Sequence, residues 1–455
     1  MILYAIPVSD QAGERKYILY RPLSGVAFVG NQALADLAQT WARQGLPDHL
    51  EHDLAEFLRL SGFLAPDPPP PPPPPEHYAP TIAVLLLTNR CQLRCTYCYA
   101  SAGDSPPETL SFDLARAAID QVCANASAQH LPSFEVAFHG GGEPTLAWKL
   151  IQDCVAYARQ KALPAVISLT SNGIWSRQQC AWLLDNLDGI SLSMDGSPQT
   201  QDKHRPYATG KKSSGVVLRV IAEMDRRNIS YGIRMTAAAP WQDFPRDVRY
   251  LCENTRCRTF QVEPAFNTGR GGHGQASLAE AMAFAQAFLE AYDIAVAAGR
   301  VLYYSGARLG LVARTFCTAP YQALIVNPGG TLSACYEITD NAHPLAELSH
   351  LGQIQAGCVQ VDLAARAQLH RLIAQRQAAC QECFCYWSCA GDCYVRAFEP
   401  GAEGHLAHGV RCAMNRYLLE QLLLRGIAAG DGAWRSANQP TGGNWRTPAG
   451  AGITI

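Results

Sequence analysis

The sequence has no long hydrophobic run. Its longest strongly apolar stretch covers residues 82–87, far short of the ~20 residues that cross a bilayer. No targeting pattern opens the chain. Residues 1–8 are apolar, but Pro7 interrupts them, no basic segment precedes them, and Asp10, Glu14, Arg15 and Lys16 follow. An excess of one charge is missing too. Lys plus Arg number 37 against 39 Asp plus Glu, which speaks against a polyanion-binding surface, because counterion release needs clustered basic charge. The chain is therefore expected to be cytoplasmic, with neither nucleic acid nor membrane among its partners. At 455 residues, 17% charged and 48% apolar, it has the material for two or three packed domains.

Cysteine, by contrast, is abundant. Seventeen are present, in a compartment where disulfides rarely persist. Ten fall into two tight patterns. Cys123, Cys154, Cys180, Cys252, Cys257, Cys358 and Cys385 are scattered. The first three of these lie in helical stretches and read as small buried apolar residues.

Residues 68–75 are eight consecutive prolines. Such a run forms a polyproline II rod, roughly 25 Å long at ~3.1 Å per residue, and is expected to serve as a spacer between two folded units. Before this linker (67–76), strand patterns at 16–21 and 26–29 and helical patterns at 33–44 and 50–61 make a small domain over 1–66. After it, strand patterns at 82–87, 134–138, 166–170, 190–193, 231–236 and 259–263 alternate with amphipathic helices such as 111–126, 176–186 and 278–298. Six β-α units in series predict an α/β fold. The sheet is parallel with helices outside it, a partial (β/α)6 TIM-like barrel over 77–300. Chemistry in such sheets sits at the carboxyl ends of the strands. From 301 to 427 the alternation stops and cysteines crowd in. The segment 428–455, rich in Gly, Pro, Asn and Thr, is expected to be disordered. It carries two aromatic-basic triplets, Trp434-Arg435-Ser436 and Trp445-Arg446-Thr447.

The first cysteine pattern, Cys91-x3-Cys95-x2-Cys98, follows the first barrel strand directly. Three thiolates in one short loop can bind three irons of a cubane. A closed structural site, whether zinc or iron–sulfur, asks for four ligands. The missing fourth leaves one iron open to an exogenous ligand. After the second barrel strand comes His139-Gly140-Gly141-Gly142-Glu143-Pro144, where glycines let backbone approach a ligand closely; a structural turn is the other reading. Thr170-Ser171-Asn172-Gly173 and Ser193-Met194-Asp195-Gly196 end the third and fourth strands, and ordinary turn chemistry accounts for both as well.

Taken together, these motifs resemble the radical S-adenosylmethionine (SAM) superfamily. Tyr97, just before Cys98, is a further match, as are Asp202, His204, Arg205, Gly210 and Gln261-Val262-Glu263-Pro264. The resemblance implies a [4Fe–4S] cluster on Cys91, Cys95 and Cys98 whose open iron chelates S-adenosylmethionine. Tyr97, Gly141, Gly142, Glu143, Asn172, Ser193, Asp195 and Arg234 are then expected to line the cofactor site. Ser193 and Asp195 are the better candidates for polar contact, while Arg234 meets the cofactor carboxylate or makes a structural ion pair.

The second pattern runs Cys317-x12-Gly330-x4-Cys335, then Cys380-x2-Cys383-x5-Cys389-x3-Cys393-x18-Cys412. It is similar to the SPASM-type auxiliary-cluster domain of radical enzymes that modify peptides and proteins. That similarity implies two auxiliary [4Fe–4S] clusters, one on Cys380, Cys383, Cys389 and Cys412, the other on Cys317, Cys335 and Cys393. Residues 307–316 hold no cysteine to complete the second set. Cys385 is extra to the pattern, either a bystander or else a ligand or substrate-reactive thiol. Residues 1–66 resemble, in layout, the winged-helix-like domains that bind a leader peptide by adding it as a strand to a sheet edge; a dimerisation or merely stabilising module is the other reading. The family resemblance implies a peptide maturase. A 5′-deoxyadenosyl radical would abstract hydrogen from a ribosomally made precursor peptide, leaving a carbon–carbon or thioether cross-link. A flavodoxin- or ferredoxin-like protein would be the electron donor. The alternatives are a formylglycine-generating sulfatase-type maturase and a non-catalytic metal-binding scaffold. No residue is singled out as a catalytic acid or base.

Overall fold

In a computed structural model, residues 1–9, 15–45, 50–266, 270, 276–398 and 409–436 are described. The triplet Trp445-Arg446-Thr447 lies outside them. The chain forms two compact units. The first gathers Met1–Pro74, Ser305–Phe316 and the stretch from Gln375 onward, and the second gathers Pro75–Tyr304 and Cys317–Ala374.

The first unit is built on β1 (Tyr4–Ser9), β2 (Arg15–Arg21) and β3 (Val26–Gly30), an antiparallel meander. Two helices follow, Gln32–Gln44 and His52–Leu60. The expected elements of this region are present, and β1 is additional. Alternation along the strands sends side chains to two different cores. Leu19, Val26 and Phe28 pack with Ala35, Ala38, Trp41, Leu58 and Phe63 on the helix side. Ile6, Ile18, Tyr20 and Ala27 pack on the other side against Phe384, Cys385, Leu419, Leu423 and Ile427. Residues 1–66 therefore have a core on the helix side of their sheet, but its other face is covered by residues from Phe384 to Ile427. So large a separation in sequence makes that pairing invisible to local pattern reading.

Buried Arg21 fixes the exit from this unit. Its guanidinium donates to Phe63 O and, at 2.6 Å, to Asp67 Oδ1. Asp67 also accepts from Ser24 Oγ at 2.7 Å and Ile2 N at 2.6 Å. The proline run is not free of the fold either, since Arg314 Nε donates to Pro71 O.

The second unit holds one large sheet. Its strands are β4 (Ile82–Leu85), β5 (Phe134–Phe138), β6 (Ala165–Ser171), β7 (Gly189–Ser193), β8 (Gly232–Ala238), β9 (Thr259–Ala265) and β10 (Val301–Tyr304). All are parallel to their neighbours, in sequential order. The six expected strands are β4 to β9, and β10 adds a seventh. Beyond β4 the sheet continues through β11 (Ala323–Val326), β12 (Thr331–Ser333), β13 (His350–Gln355) and β14 (Cys358–Val361). β11 runs parallel to β4, and the other three turn back antiparallel. This corrects the expectation of one domain over 301–427. Residues 317–374 pair with the barrel sheet, while 305–316 and the chain from 375 belong to the first unit.

The last described strand is β15 (Ala433–Arg435). It pairs antiparallel with β3, Ala433 opposite Phe28, Trp434 opposite Ala27 and Arg435 opposite Val26. The expectation of disorder from 428 onward fails for this segment. Helix Val410–Ala429 runs into it, and Arg435 Nε and Nη2 donate to Ser61 O and Leu60 O, both at 3.2 Å. No helix among the described residues is long and apolar enough to cross a membrane.

Candidate radical cofactor site

The cysteine loop leaves the carboxyl end of β4 and lies against the loop that follows β5. Gly142 N donates to Thr88 O at 2.7 Å, and Glu143 N donates to Arg90 O at 2.8 Å. A Cβ on Gly142 would stand 2.0 Å from Arg90 O, so only glycine lets the two loops approach this closely. The glycine run thus has a packing duty at the root of the cysteine loop.

Glu143 is buried and accepts four hydrogen bonds. Its Oε1 accepts from Thr145 N at 3.1 Å, Thr145 Oγ1 at 2.6 Å and Ser171 Oγ at 2.7 Å, and its Oε2 accepts from Asn172 N at 2.9 Å. Burial raises its pKa above the usual carboxylate value, against the lowering pull of these donors. Asn172, at the end of β6, donates through Nδ2 to Cys91 Sγ at 3.7 Å and accepts from Gln92 Nε2 at 3.4 Å. Glu143 and Asn172 therefore tie the second and third strand ends to the cysteine loop.

Asp195, after β7, is an internal anchor. Arg205 Nε and Nη2 donate to its two oxygens, each at 3.0 Å. Thr236 N donates at 2.9 Å, and the Tyr97 hydroxyl donates to Oδ2. A carboxylate has about four acceptor sites, and these four donors fill them. Asp195, expected to make a polar contact at the cofactor site, holds Tyr97 and Arg205 through its carboxylate. The Arg205 guanidinium also lies over the Tyr97 ring, 5.2 Å from its centroid. Ser193 and Arg234 stand opposite each other in the β7–β8 register.

The three thiols feel one another. Burial, then Glu143, with Cys95 and Cys98 adding, pushes Cys91 up to about 12 against an opposing Leu93 N–H. Burial pushes Cys95 up to about 11, with Cys98 and Asp195 adding and Arg205 and Arg270 opposing. Crowded thiolates are costly until a cationic centre neutralises them. Among the described residues no group of three His, Cys, Asp or Glu is set to hold a single metal ion. An iron–sulfur cluster asks instead for one thiolate per iron, and this loop supplies three, so the donor set fits the group.

Sequence reasoning passed over the residues that brace the loop. Arg94 N donates to Pro206 O at 2.8 Å and Thr96 N to His204 O at 2.9 Å. The Arg94 side chain reaches Cys91 O at 2.8 Å and Gly103 O at 2.8 Å. Arg270, beyond β9, donates to Cys95 O at 3.1 Å. An Arg inside a cysteine motif is visible in the sequence; its partnership with a residue 176 positions away is not.

The later cysteines divide between the units. Cys317 and Cys335 lie in the second, where each sulfur accepts a backbone N–H at 3.4 Å, from Ala319 and Glu337 respectively. Cys380, Cys383, Cys389, Cys393 and Cys412 lie in the first. Burial and Cys383 raise Cys380; burial, Cys383 and Cys380 push Cys412 up to about 11. Cys383 is drawn down to about 6, first by a hydrogen bond from the Cys385 thiol. Cys385 itself is buried among Ile18, Tyr20 and Leu419. Asp392 joins the loop to the helix carrying Cys412. It accepts from Arg411 Nε at 2.8 Å and Asn415 Nδ2 at 3.1 Å, and Asn415 Nδ2 also donates to Cys389 Sγ at 3.8 Å.

Comparison with known proteins agrees with this geometry. Residues 85–239 match the radical SAM superfamily. The chain is 28% identical over 276 residues to the sporulation killing factor maturation protein SkfB of Bacillus subtilis, covering 57% of this chain and 64% of that protein. It is 33% identical over 157 residues to the Fe-coproporphyrin III synthase of Methanosarcina barkeri, covering 34% and 36%. The chain thus spans just under two thirds of the length of the first relative and about a third of the second. Among solved structures, anSMEcpe with bound AdoMet superposes with a TM-score of 0.62 at 18% identity, over 77% of this chain and 99% of that one; this likeness concerns the fold. The cysteine loop and the β5 glycine run both lie within residues 85–239, the stretch that matches the radical SAM superfamily.

Proposed function

We propose that the chain is a radical SAM enzyme that matures a ribosomally made peptide. The observation that carries this reading is the three-thiol loop at the carboxyl end of β4, packed on the Gly142–Glu143 turn of a radical SAM domain. Cys91, Cys95 and Cys98 would hold a [4Fe–4S] cluster, with Tyr97, Gly141, Gly142, Asn172, Ser193 and Arg234 around the S-adenosylmethionine it binds. Together those groups would supply a 5′-deoxyadenosyl radical able to take hydrogen from a side chain or α-carbon.

The remaining work falls to the protein. Glu143 joins the ends of β5 and β6, and Asp195 joins the end of β7 to β8 while holding half-buried Tyr97 and buried Arg205 beneath the cysteine loop. Cys380, Cys383, Cys389 and Cys412, mutually coupled and latched by Asp392, suit an auxiliary cluster. Cys317, Cys335 and Cys393 would serve the second. A small flavodoxin- or ferredoxin-like protein would deliver the electron. The peptide reading draws support from SkfB, whose name describes a maturation protein. The formylglycine alternative has no comparable support, because the likeness to anSMEcpe is one of fold.

For leader recognition by strand addition, the small sheet offers β1 as its longer edge, the other edge being the three-residue β15. Anaerobic reconstitution tests the whole reading. The full chain should take up roughly 8–12 irons, the content of two or three four-iron clusters, and form 5′-deoxyadenosine from S-adenosylmethionine. Replacing Cys91, Cys95 and Cys98 with Ala should abolish that product while leaving the auxiliary iron. One zinc and no iron, or product from the triple variant, would refute it.

A further inference from the structure

Two guanidinium groups grip the cysteine loop. Arg94 lies inside it and donates to Cys91 O at 2.8 Å, Leu93 O at 3.0 Å and Gly103 O at 2.8 Å. Arg270 comes from beyond β9 and donates to Cys95 O at 3.1 Å and Ala102 O at 2.9 Å. Asp104 joins them, with Arg270 Nε at 2.6 Å from Oδ2 and Arg94 Nε at 3.3 Å from Oδ1. The fit is close: Gly103 sits at φ +85°, and a Cβ there would lie 2.6 Å from Arg94 Nη1.

This arrangement does two things. Five carbonyls of the loop, two of them on cysteines 91 and 95, are fixed by rigid planar forks rather than left to water. Two positive charges against one carboxylate also leave a net positive charge beside three thiolates. Added positive charge favours the more negative oxidation state of an iron–sulfur cluster, since net charge and surrounding hydrogen bonds set its potential. Neither effect needs the substrate.

We propose that Arg94 and Arg270, coupled through Asp104, are positioning residues that shape the Cys91–Cys98 loop and favour the reduced state of the cluster it holds. This rests on the reading of that loop as a radical SAM cluster site, and the test separates the two.

The full chain, Arg270→Gln, Arg270→Lys and Asp104→Asn are reconstituted anaerobically. For each, the electron paramagnetic resonance signal that changes on adding S-adenosylmethionine is followed through a redox titration. At the solution potential that half-reduces this signal in the unsubstituted chain, Arg270→Gln should cut the reduced fraction about threefold or more. Arg270→Lys, which keeps the charge but loses the fork, should restore that fraction yet leave the signal shape altered. Asp104→Asn, which removes a negative charge, should move the reduced fraction upward. Opposite shifts are a signature that simple loosening does not produce. Identical titrations in all four proteins, or Arg270→Gln and Asp104→Asn shifting the same way, would overturn the proposal. Should Arg270→Gln take up no iron, Arg270→Lys and Asp104→Asn decide it by the same criteria. Absence of a SAM-responsive signal in the unsubstituted chain would instead reject the cluster site itself.

Discussion

Asp195 and Gly142 set the tolerance of the site at the level of single atoms. Asp195 is the buried partner of Arg205, and removing one member of a buried pair leaves the other charge uncompensated, at about 3–5 kcal/mol. Asp195→Asn should lower the thermal midpoint of the full chain and loosen Tyr97, measured by calorimetry and by tyrosine fluorescence. A midpoint unchanged within error would contradict the anchor role. Gly142→Ala places a methyl 2.0 Å from Arg90 O. It should therefore reduce iron held at Cys91, Cys95 and Cys98, read as loss of the SAM-responsive spectrum, with the auxiliary iron kept. Little of this was legible in the sequence. The types and spacing of Cys91, Cys95, Cys98 and the Gly-Gly-Glu run point to the chemistry. That Glu143 and Asp195 each accept four hydrogen bonds from protein donors depends on partners such as Thr236 and Ser171, which only the fold brings near.

Among elements, strands β4 to β9 were readable because each is an apolar run bounded by turn residues and followed by a helix. β1 and β15 escaped for physical reasons. Pro7 breaks β1 as a pattern, and β15 is three residues long amid Gly and Asn, so its signal is the Trp434 side chain seated over Gly426, where a Cβ would meet Trp434 Cδ1 at 2.4 Å. Strands β11 to β14 were missed because cysteine and glycine mask their short apolar stretches. β1 is an edge strand in which Pro7 pairs with Tyr17. Proline offers no donor, and edge strands tolerate it where the absent N–H would face outward, so the outward groups of β1 recur at Ala5. Ala5→Pro should leave the β1–β2 ladder intact and weaken binding of a leader peptide several-fold by anisotropy. Unchanged affinity would remove β1 as the docking edge.

For the whole molecule, the first unit is held by contacts between distant stretches of chain. Truncation after residue 430 removes β15, whose Trp434 packs in the same core as Ile18 and Leu423, and should cost about 3 kcal/mol or more. The expected readout is an earlier unfolding transition in calorimetry, and an unshifted one would show that β15 adds nothing. The Arg21–Asp67 pair gives this unit an acid dependence. Burial alone would raise Asp67, but hydrogen bonds from Ile2 N, Ser24 and Arg21, with the Arg21 charge, hold it below the ordinary carboxylate range. Because its folded value is depressed, its stabilisation is present above the unfolded value of about 3.9 and is lost as pH falls through the folded one. Asp67→Asn should flatten the fall in thermal midpoint below about pH 4.

Closure of the small sheet by β15 also has a consequence in time. β3 ends at Gly30 and its last neighbour begins at Ala433. At a synthesis rate of about 5–20 residues per second, some 20–80 s separate the two on the ribosome. Throughout that interval β3 presents an unpaired edge, and the face bearing Ile18 and Tyr20 lacks its cover of Leu419 and Leu423. A nascent chain in that state is open to pairing with its neighbours. Its yield should therefore depend on holding chaperones and on the speed of translation.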